Sequence, residues 1–202
     1  MSEEKVEGIL FDLDGVLIDS FDAWLSAYNE ALEKFGKEAL DEDEFREKCW
    51  GPEVKDSMKK FGLEEEAVNY CYSRYEANMD KVEISPEINR ILGSIEKKMG
   101  LVTNTNTEQM AKILELHDFR RYFDVIVHGD DVEKKKPAPD SVLKACKLLK
   151  IRPESAILVG DTESDVRAGR KAGCKVIGVG IEGDWRIESL KELPDLLSEI
   201  SG

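Results

Sequence analysis

The chain has 202 residues, which is long enough for one large domain or for a core with an inserted module. Its net charge of −14 disfavours binding to nucleic acid or to an anionic membrane surface, and no apolar run approaches the roughly 20 residues of a membrane span. The cysteines form no CxxC pair, so we expect four reduced thiols in a cytoplasmic protein: Cys49, Cys71, Cys146 and Cys174.

Five short apolar runs predict buried strands, and amphipathic segments between them predict helices. The first run follows a charged segment, residues 1–7, that lacks the pattern of a signal peptide. This alternation predicts a parallel sheet with right-handed crossovers, and therefore a doubly wound α/β core. The predicted strands are Gly8–Leu13, Met99–Thr103, Asp124–Val127, Ala156–Val159 and Lys175–Val179, and the predicted core helices are Glu87–Lys98, Thr107–Leu116, Asp140–Leu149 and Ser164–Ala172.

Two helix ends carry local signals. Ser85 and Pro86 predict an N-cap and a first helical residue, because serine caps helices and proline suits the first turn. Gly173 predicts the C-terminal end of the helix that precedes it.

The segment between the first two strands contains no convincing strand and is too long for an ordinary loop. We therefore predict a core domain of residues 1–19 and 82–202 with an inserted helical domain of residues 20–81. An insertion at this point is expected to lie over the ligand site as a lid, with Gly51 in a loop that contacts the substrate. The helices predicted within it are Phe21–Phe35, Asp43–Lys48, Val54–Phe61 and Glu64–Met79.

Four polar segments lie at or near the ends of the predicted strands. Asp12 and Asp14 repel each other and cost free energy to desolvate, so their position after a buried strand predicts a positive neighbour, first of all a metal ion. The polar segments are Asp12-Leu13-Asp14-Gly15, Thr103-Asn104, Lys136 within KKKPAPD, and VGDTESD with Asp161 and Asp165.

These segments, in this order, resemble the four motifs of the haloacid dehalogenase superfamily. The matches are DxDG at 12–15, a threonine after a strand at 103, a lysine before proline at 136, and GDxxxD at 160–165. The resemblance covers nearly the whole chain, and the helical insertion resembles the C1 cap of that superfamily. Four spaced motifs together are specific, whereas each one alone is weak.

The resemblance implies an Mg²⁺-dependent hydrolase that acts through an aspartyl phosphate. Asp12 is the implied nucleophile, and Asp14 is the implied acid that protonates the leaving alcohol and later deprotonates the hydrolytic water. Thr103 and the Asn104 backbone are expected to donate to the phosphate, and Lys136 to neutralise its charge. The implied Mg²⁺ ligands are the Asp12 carboxylate, the Asp14 backbone carbonyl and Asp161, with Asp165 among them or directly behind them.

Each motif also has an ordinary structural interpretation. A pair of aspartates can close a turn, a threonine can cap a loop, a lysine run can lie in solvent, and acids four apart can favour a helix N-terminus. An EF-hand that starts at Asp12 is excluded, because its sixth position is Leu17 instead of glycine. The coincidence of all four motifs in the superfamily's order favours the catalytic interpretation.

The acid at position 14 favours a phosphatase over a dehalogenase, because a dehalogenase has no leaving alcohol to protonate. We expect a small-molecule phosphate monoester as substrate, since phosphoglycolate-phosphatase-like members resemble the chain in length and in the segment VGDTESDVRAGRKAG. Two alternatives stay open: a β-phosphoglucomutase-like phosphotransferase, and a non-enzymatic phosphoaspartate switch. The sequence is compatible with a monomer or a homodimer.

Overall fold

The computed structural model describes residues 5–201, apart from the side chains of residues 116, 117 and 201. Part of the charged segment at 1–7 therefore lies outside the described residues. Within the described range the strands are β1 (Gly8–Phe11), β2 (Lys98–Val102), β3 (Val125–Val127), β4 (Ala156–Gly160), β5 (Lys175–Val179) and β6 (Trp185–Ile187). The helices are α1 (Phe21–Lys34), α2 (Glu42–Lys48), α3 (Val54–Lys60), α4 (Glu65–Ala77), α5 (Ile88–Gly93), α6 (Thr107–His117), α7 (Asp140–Leu149), α8 (Glu163–Ala172) and α9 (Leu193–Ser201).

The strands form one parallel sheet in the order β3-β2-β1-β4-β5-β6. The predicted α/β fold with a parallel sheet is confirmed. β1 is central, and Phe11 at its carboxyl end is level with Leu101 of β2 and Val159 of β4. The strand order changes direction at β1, and open α/β sheets bind their ligands outside the carboxyl ends of the strands at such a point.

The central strands of this sheet are buried because helices pack against it. Every residue of β1 and of β4 is buried. α7 packs on β2 and β3, and α8 packs on β4 and β5. Burial of this kind explains why these strands are continuous apolar runs in the sequence. The four cysteines are free and buried, as expected for reduced thiols.

Two elements at the C-terminal end of the chain were not predicted from the sequence. β6 is a three-residue edge strand with Arg186 at its centre, so it lacks the apolar run by which the other strands were identified. α9 follows it. α5 is shorter than predicted because it ends at Gly93, after which the Ser94 hydroxyl donates to the Ile91 carbonyl at 2.8 Å.

The prediction of a helix N-cap at Ser85 was wrong. α5 begins at Ile88, and Glu87 occupies the N-cap position. Ser85 instead closes a turn, in which its carbonyl accepts from the Ile88 N–H at 3.0 Å. The predicted C-terminal end at Gly173 is confirmed, because this glycine adopts φ 92° in the left-handed region after α8.

A second compact unit comprises Ile18–Ile84 and contains α1 to α4. The sequence predicted boundaries after residues 19 and 81. The difference arises because Asp19 and Glu83 exchange two backbone hydrogen bonds of 2.8 Å, which pair the segments that enter and leave the helical unit. Inside this unit Trp24 stacks on Tyr75, with ring centroids 3.8 Å apart. No helix in residues 5–201 has the length and apolar character needed to cross a membrane.

Gly169 allows α8 to approach the sheet closely. A Cβ atom at this position would lie 2.6 Å from the Val176 Cγ2 atom and 3.2 Å from the Leu158 Cδ2 atom. Both neighbours belong to buried strands and have little room to move. The glycine therefore sets the position of α8 relative to β4 and β5.

We predict that Gly169→Ala destabilises the protein, although alanine favours helices. The helix preference is worth about 1 kcal/mol, whereas overpacking costs about 1–3 kcal/mol, so the free energy of unfolding should fall by about 1 kcal/mol. Gly93→Ala is the matched control, because a Cβ there meets only the Tyr122 ring, at an ordinary 3.8 Å. Urea denaturation measures both variants. Equal stabilisation by the two substitutions would contradict the close approach of α8.

Candidate active site

Asp12 lies directly after the central strand. Its N–H donates to the Val159 carbonyl at 2.9 Å, which continues the pairing of β1 with β4 by one residue. Its Oδ1 atom accepts from the Leu13 N–H at 2.8 Å. The carboxylate is buried, so its charge needs compensation from neighbouring groups.

A sharp turn follows Asp12. Gly15 has φ 75°, and the Leu17 N–H donates to the Leu13 carbonyl at 2.9 Å. A Cβ atom on Gly15 would lie only 2.0 Å from the Asp161 Oδ2 atom. Glycine is therefore required twice here, for its backbone conformation and for the approach of the turn to the carboxylate that follows β4.

Lys136 places a buried ammonium group between two aspartates. Its Nζ atom lies 2.8 Å from the Asp12 Oδ1 atom and 2.6 Å from the Asp165 Oδ1 atom, and it donates to the Val102 carbonyl at 3.0 Å. An ammonium group has three N–H donors, and here three acceptors surround it. Lys136 is 4% exposed, whereas its neighbour Lys134 is exposed. Within this lysine run, Lys136 thus belongs to the site and Lys134 lies in solvent.

Burial and neighbouring charges together shift the pKa values of Lys136 and Asp12. Burial disfavours the charged form of Lys136, but Asp12 and Asp165 outweigh it and raise the pKa of the ammonium group. Burial also raises the pKa of Asp12, and the nearby Asp165 and Asp161 raise it further, while Lys136 opposes them. Carboxylates thus outnumber the one ammonium in this cluster.

Asn104 fixes the backbone that carries this lysine. Its side-chain Nδ2 donates to the Lys136 carbonyl at 3.0 Å, and its Oδ1 accepts from the Lys136 N–H at 2.9 Å. The sequence predicted a role for the Asn104 backbone at the phosphate. In the structure the Asn104 side chain has a role as well, because its two hydrogen bonds join the loop after β2 to the loop after β3.

Asp165 is the N3 residue of a capping box at the start of α8. Thr162 is the N-cap, and its side chain accepts from the Asp165 N–H while its backbone N–H donates to Asp165 Oδ2. Asp165 therefore caps the helix and also contacts Lys136. A Cβ on Gly160 would lie 2.3 Å from the Asp165 Cβ atom, so glycine is needed there too.

Asp14 and Thr103 are linked through Thr105, which the sequence analysis missed. The Thr105 hydroxyl donates to the Asp14 Oδ2 atom at 2.7 Å, and the Thr105 N–H donates to the Thr103 Oγ1 atom at 3.0 Å. The predicted site residue Gly51 lies in the other unit, with φ 95°. Thr162 was missed as well, although the Thr-x-x-Asp spacing of a capping box is visible in the sequence.

Three of the predicted metal ligands lie together. Asp12, Asp161 and Asp165 each offer a carboxylate oxygen, and these oxygens all lie within 4.8 Å of one another. Hard oxygen donors at such spacing suit Mg²⁺, and a divalent cation offsets the excess of carboxylates over ammonium. The residues present therefore fit the expected metal.

Comparison with known proteins agrees with this geometry. The model of the family described as haloacid dehalogenase-like hydrolase matches residues 9–179. The chain belongs to this family. The match begins in β1 and ends with β5, so it includes each of the four motifs.

Relatives of this hydrolase chain include two enzymes of different name. A phosphoglycolate phosphatase of Aquifex aeolicus is 36% identical over 193 residues, which cover 93% of this chain and 89% of the relative. A pyrophosphatase PpaX of Halalkalibacterium halodurans is 33% identical and covers 96% of each chain. Among solved structures, CbbY of Rhodobacter sphaeroides in complex with phosphate has a TM-score of 0.79 at 25% identity and covers 93% of this chain and 96% of that one.

We predict that Lys136→Met lowers the free energy of unfolding by about 3 kcal/mol at pH 7.5, because breaking a buried ion pair leaves its partners uncompensated. The pKa of Asp12 is already raised in the folded state, and loss of Lys136 raises it further. An acid whose pKa is raised in the folded state destabilises the fold at any pH where the same group is ionised in the unfolded chain. The loss of unfolding free energy caused by Lys136→Met should therefore shrink as the pH falls towards 4. Lys134→Met is the control. Urea denaturation with EDTA present measures this, and a deficit independent of pH would contradict the ion-pair account.

Proposed function

We propose that this chain is an Mg²⁺-dependent phosphatase that hydrolyses a small phosphate monoester through an aspartyl phosphate on Asp12. The observation that carries the proposal is the buried Lys136 ammonium between Asp12 and Asp165, with Asp161 beside them. The names of the curated relatives support phosphate ester or phosphoanhydride hydrolysis.

In this proposal the carboxylates of Asp12 and Asp161 and the backbone carbonyl of Asp14 hold the metal. Asp165 has a different task, because its Oδ1 is paired with Lys136 and its Oδ2 accepts from Thr162. Asp165 therefore orients the Lys136 ammonium group and lies outside the set of proposed metal ligands. When bound, Mg²⁺ supplies positive charge to a phosphate oxygen.

The first step is an attack on phosphorus by a carboxylate oxygen of Asp12. The new P–O bond forms as the bond to the leaving oxygen breaks, and Asp14 gives a proton to that oxygen. Thr103 stabilises the phosphate by donation, for which its hydroxyl hydrogen is suited because its oxygen already accepts from the Thr105 N–H. The Asn104 N–H and Lys136 complete the anion site.

The second step is hydrolysis of the aspartyl phosphate. Asp14 takes a proton from water, the water oxygen bonds to phosphorus, and the bond to Asp12 breaks. Inorganic phosphate leaves, and both aspartates return to their starting state. The same two residues thus serve both steps, which distinguishes a phosphatase from a switch that stays phosphorylated.

The substrate is proposed to be a small anion such as a phosphorylated carboxylate. One relative is named for phosphoglycolate, another for pyrophosphate, and the Rhodobacter sphaeroides CbbY has been solved with xylulose-(1,5)bisphosphate at 25% identity to this chain. Gly51 stays the candidate substrate contact within the helical unit. The four free cysteines support a location in the cytoplasm.

We expect phosphate release from at least one member of a panel that contains phosphoglycolate, pyrophosphate, sugar phosphates and a sugar bisphosphate. Activity should require Mg²⁺, and excess Ca²⁺ should inhibit because it prefers a looser coordination sphere. A colorimetric phosphate assay with Mg²⁺, with Mg²⁺ plus Ca²⁺, or after chelation measures this. Full activity after exhaustive chelation would refute the metal assignment. Conversion of one sugar phosphate isomer to another without net release would favour the phosphotransferase.

We predict opposite labelling behaviour for two single substitutions. Asp12→Asn should abolish phosphoenzyme formation, because the nucleophile is gone. Asp14→Asn keeps the nucleophile but removes the acid–base, which is typically worth about 10²–10⁴-fold, so turnover of alkyl phosphates falls. With 4-nitrophenyl phosphate, whose leaving group needs little protonation, the phosphoenzyme should form and accumulate because its hydrolysis still lacks the base. Rapid-quench labelling with ³²P-labelled substrate measures both.

Asp130→Asn is the control for the labelling experiment, because this aspartate accepts from Thr107 and has no part in the proposed chemistry. It should label and turn over as the wild type does. Wild-type labelling of the Asp12 variant would overturn the nucleophile assignment.

A further inference from the structure

Thr105 is a buried residue that no motif includes. Its hydroxyl donates to Oδ2 of Asp14 at 2.7 Å, across 91 positions of sequence. Thr105 is 7% exposed. A hydroxyl buried at this depth needs a partner, and here the partner is the carboxyl group proposed as the acid–base.

The backbone of Thr105 is held on both sides. Its N–H donates to the Thr103 Oγ1 atom, and its carbonyl accepts from the Gly129 N–H, each at 3.0 Å. The loop after β3 approaches closely at this point, since a Cβ atom on Gly129 would lie 2.4 Å from the Asn104 carbonyl oxygen. The hydroxyl of Thr105 is therefore presented from a backbone with little freedom to shift.

We propose that Thr105 is a positioning residue that holds the carboxyl group of Asp14 in the orientation from which it serves as acid and base. Its hydroxyl donates to Oδ2 and so restricts the rotation of the carboxyl group. In the first step Asp14 gives a proton to the leaving oxygen as the bond of that oxygen to phosphorus breaks. In the second step Asp14 receives a proton from water. This inference rests on the proposed phosphatase function.

The alternative role for Thr105 is purely structural, as one of the hydrogen bonds that hold the loop after β2. The two roles differ in their dependence on the leaving group. An alkoxide must be protonated as it departs, whereas nitrophenolate departs with little assistance. A residue that orients the acid therefore strongly affects the rate of phosphoenzyme formation from an alkyl phosphate and has little effect on that rate for a nitrophenyl phosphate. A residue that only holds the loop affects both substrates alike.

The test uses Thr105→Val, which keeps the shape and removes the hydroxyl, and Thr105→Ser, which restores it. The rate of phosphoenzyme formation is followed by rapid quench in a single turnover, so that the second step does not mask the first. We expect Thr105→Val to slow labelling from an alkyl phosphate by about tenfold or more, a part of the full general-acid contribution, with much less effect on 4-nitrophenyl phosphate. Thr105→Ser should recover most of the rate on the alkyl phosphate.

Thr107→Val is the matched control. It removes a hydroxyl from the first residue of α6, two positions after Thr105, where that hydroxyl donates to Asp130 at 2.8 Å. Equal slowing of both substrates by Thr105→Val, or failure of Thr105→Ser to restore the difference, would overturn the positioning role. Absence of labelling in the wild type is a separate result, since it refutes the proposed function itself.

Discussion

The contacts of the Lys136 ammonium group are the interactions on which the rest of the candidate site depends. Its three acceptors are the Asp12 carboxylate after β1, the Val102 carbonyl at the end of β2, and the Asp165 carboxylate in α8. One cation thus joins three elements of the core. A buried ion pair of this kind is poor evidence for stability, because apolar residues of similar size often stabilise a protein as well or better. Its presence is better explained by chemistry than by folding.

At two glycines the backbone of the candidate site approaches an aspartate side chain closely. Gly15 lies against the Asp161 carboxylate and Gly160 against the Asp165 side chain, at distances that leave no room for a Cβ atom. Glycine is the residue that permits such contacts. The glycines beside the aspartates in the two acidic motifs therefore have a steric reason, which is independent of any comparison with other proteins.

The sequence predicted the parallel sheet because five of the strands in the described residues contain a short apolar run, and the central strands β1 and β4 are buried throughout. It failed where that signal is absent: β6 is a short edge strand with a central arginine, and Ser85 closes a turn although its residue type suits an N-cap. The site shows the same division. Motif order predicted which acids and which lysine to consider, and the structure brings Asp12, Asp161, Asp165 and Lys136 together.

Contacts between distant segments could not be predicted from one sequence. Thr105 and Asp14 lie 91 positions apart, and neither spacing nor composition relates them. The side chain of Asn104 is a similar case, since its two hydrogen bonds to the Lys136 backbone depend on how the loops after β2 and β3 meet. Local patterns predicted the candidate reactive groups, whereas their orientation depends on tertiary contacts.

Asp12 and Asp14 are chemically identical, and their surroundings distinguish them. Asp12 accepts from a cation and from the Leu13 N–H, and Lys136 opposes the burial and the nearby acids that raise the pKa of its carboxyl group. Asp14 accepts from the neutral Thr105 hydroxyl. A nucleophile is required as an anion, and a charged partner suits it. A group that alternates between acid and base gains and loses a proton in each cycle, and a neutral hydroxyl can hold it in place in both forms. The contact of Lys136 with Asp12 and that of Thr105 with Asp14 therefore support the different roles proposed for the two aspartates.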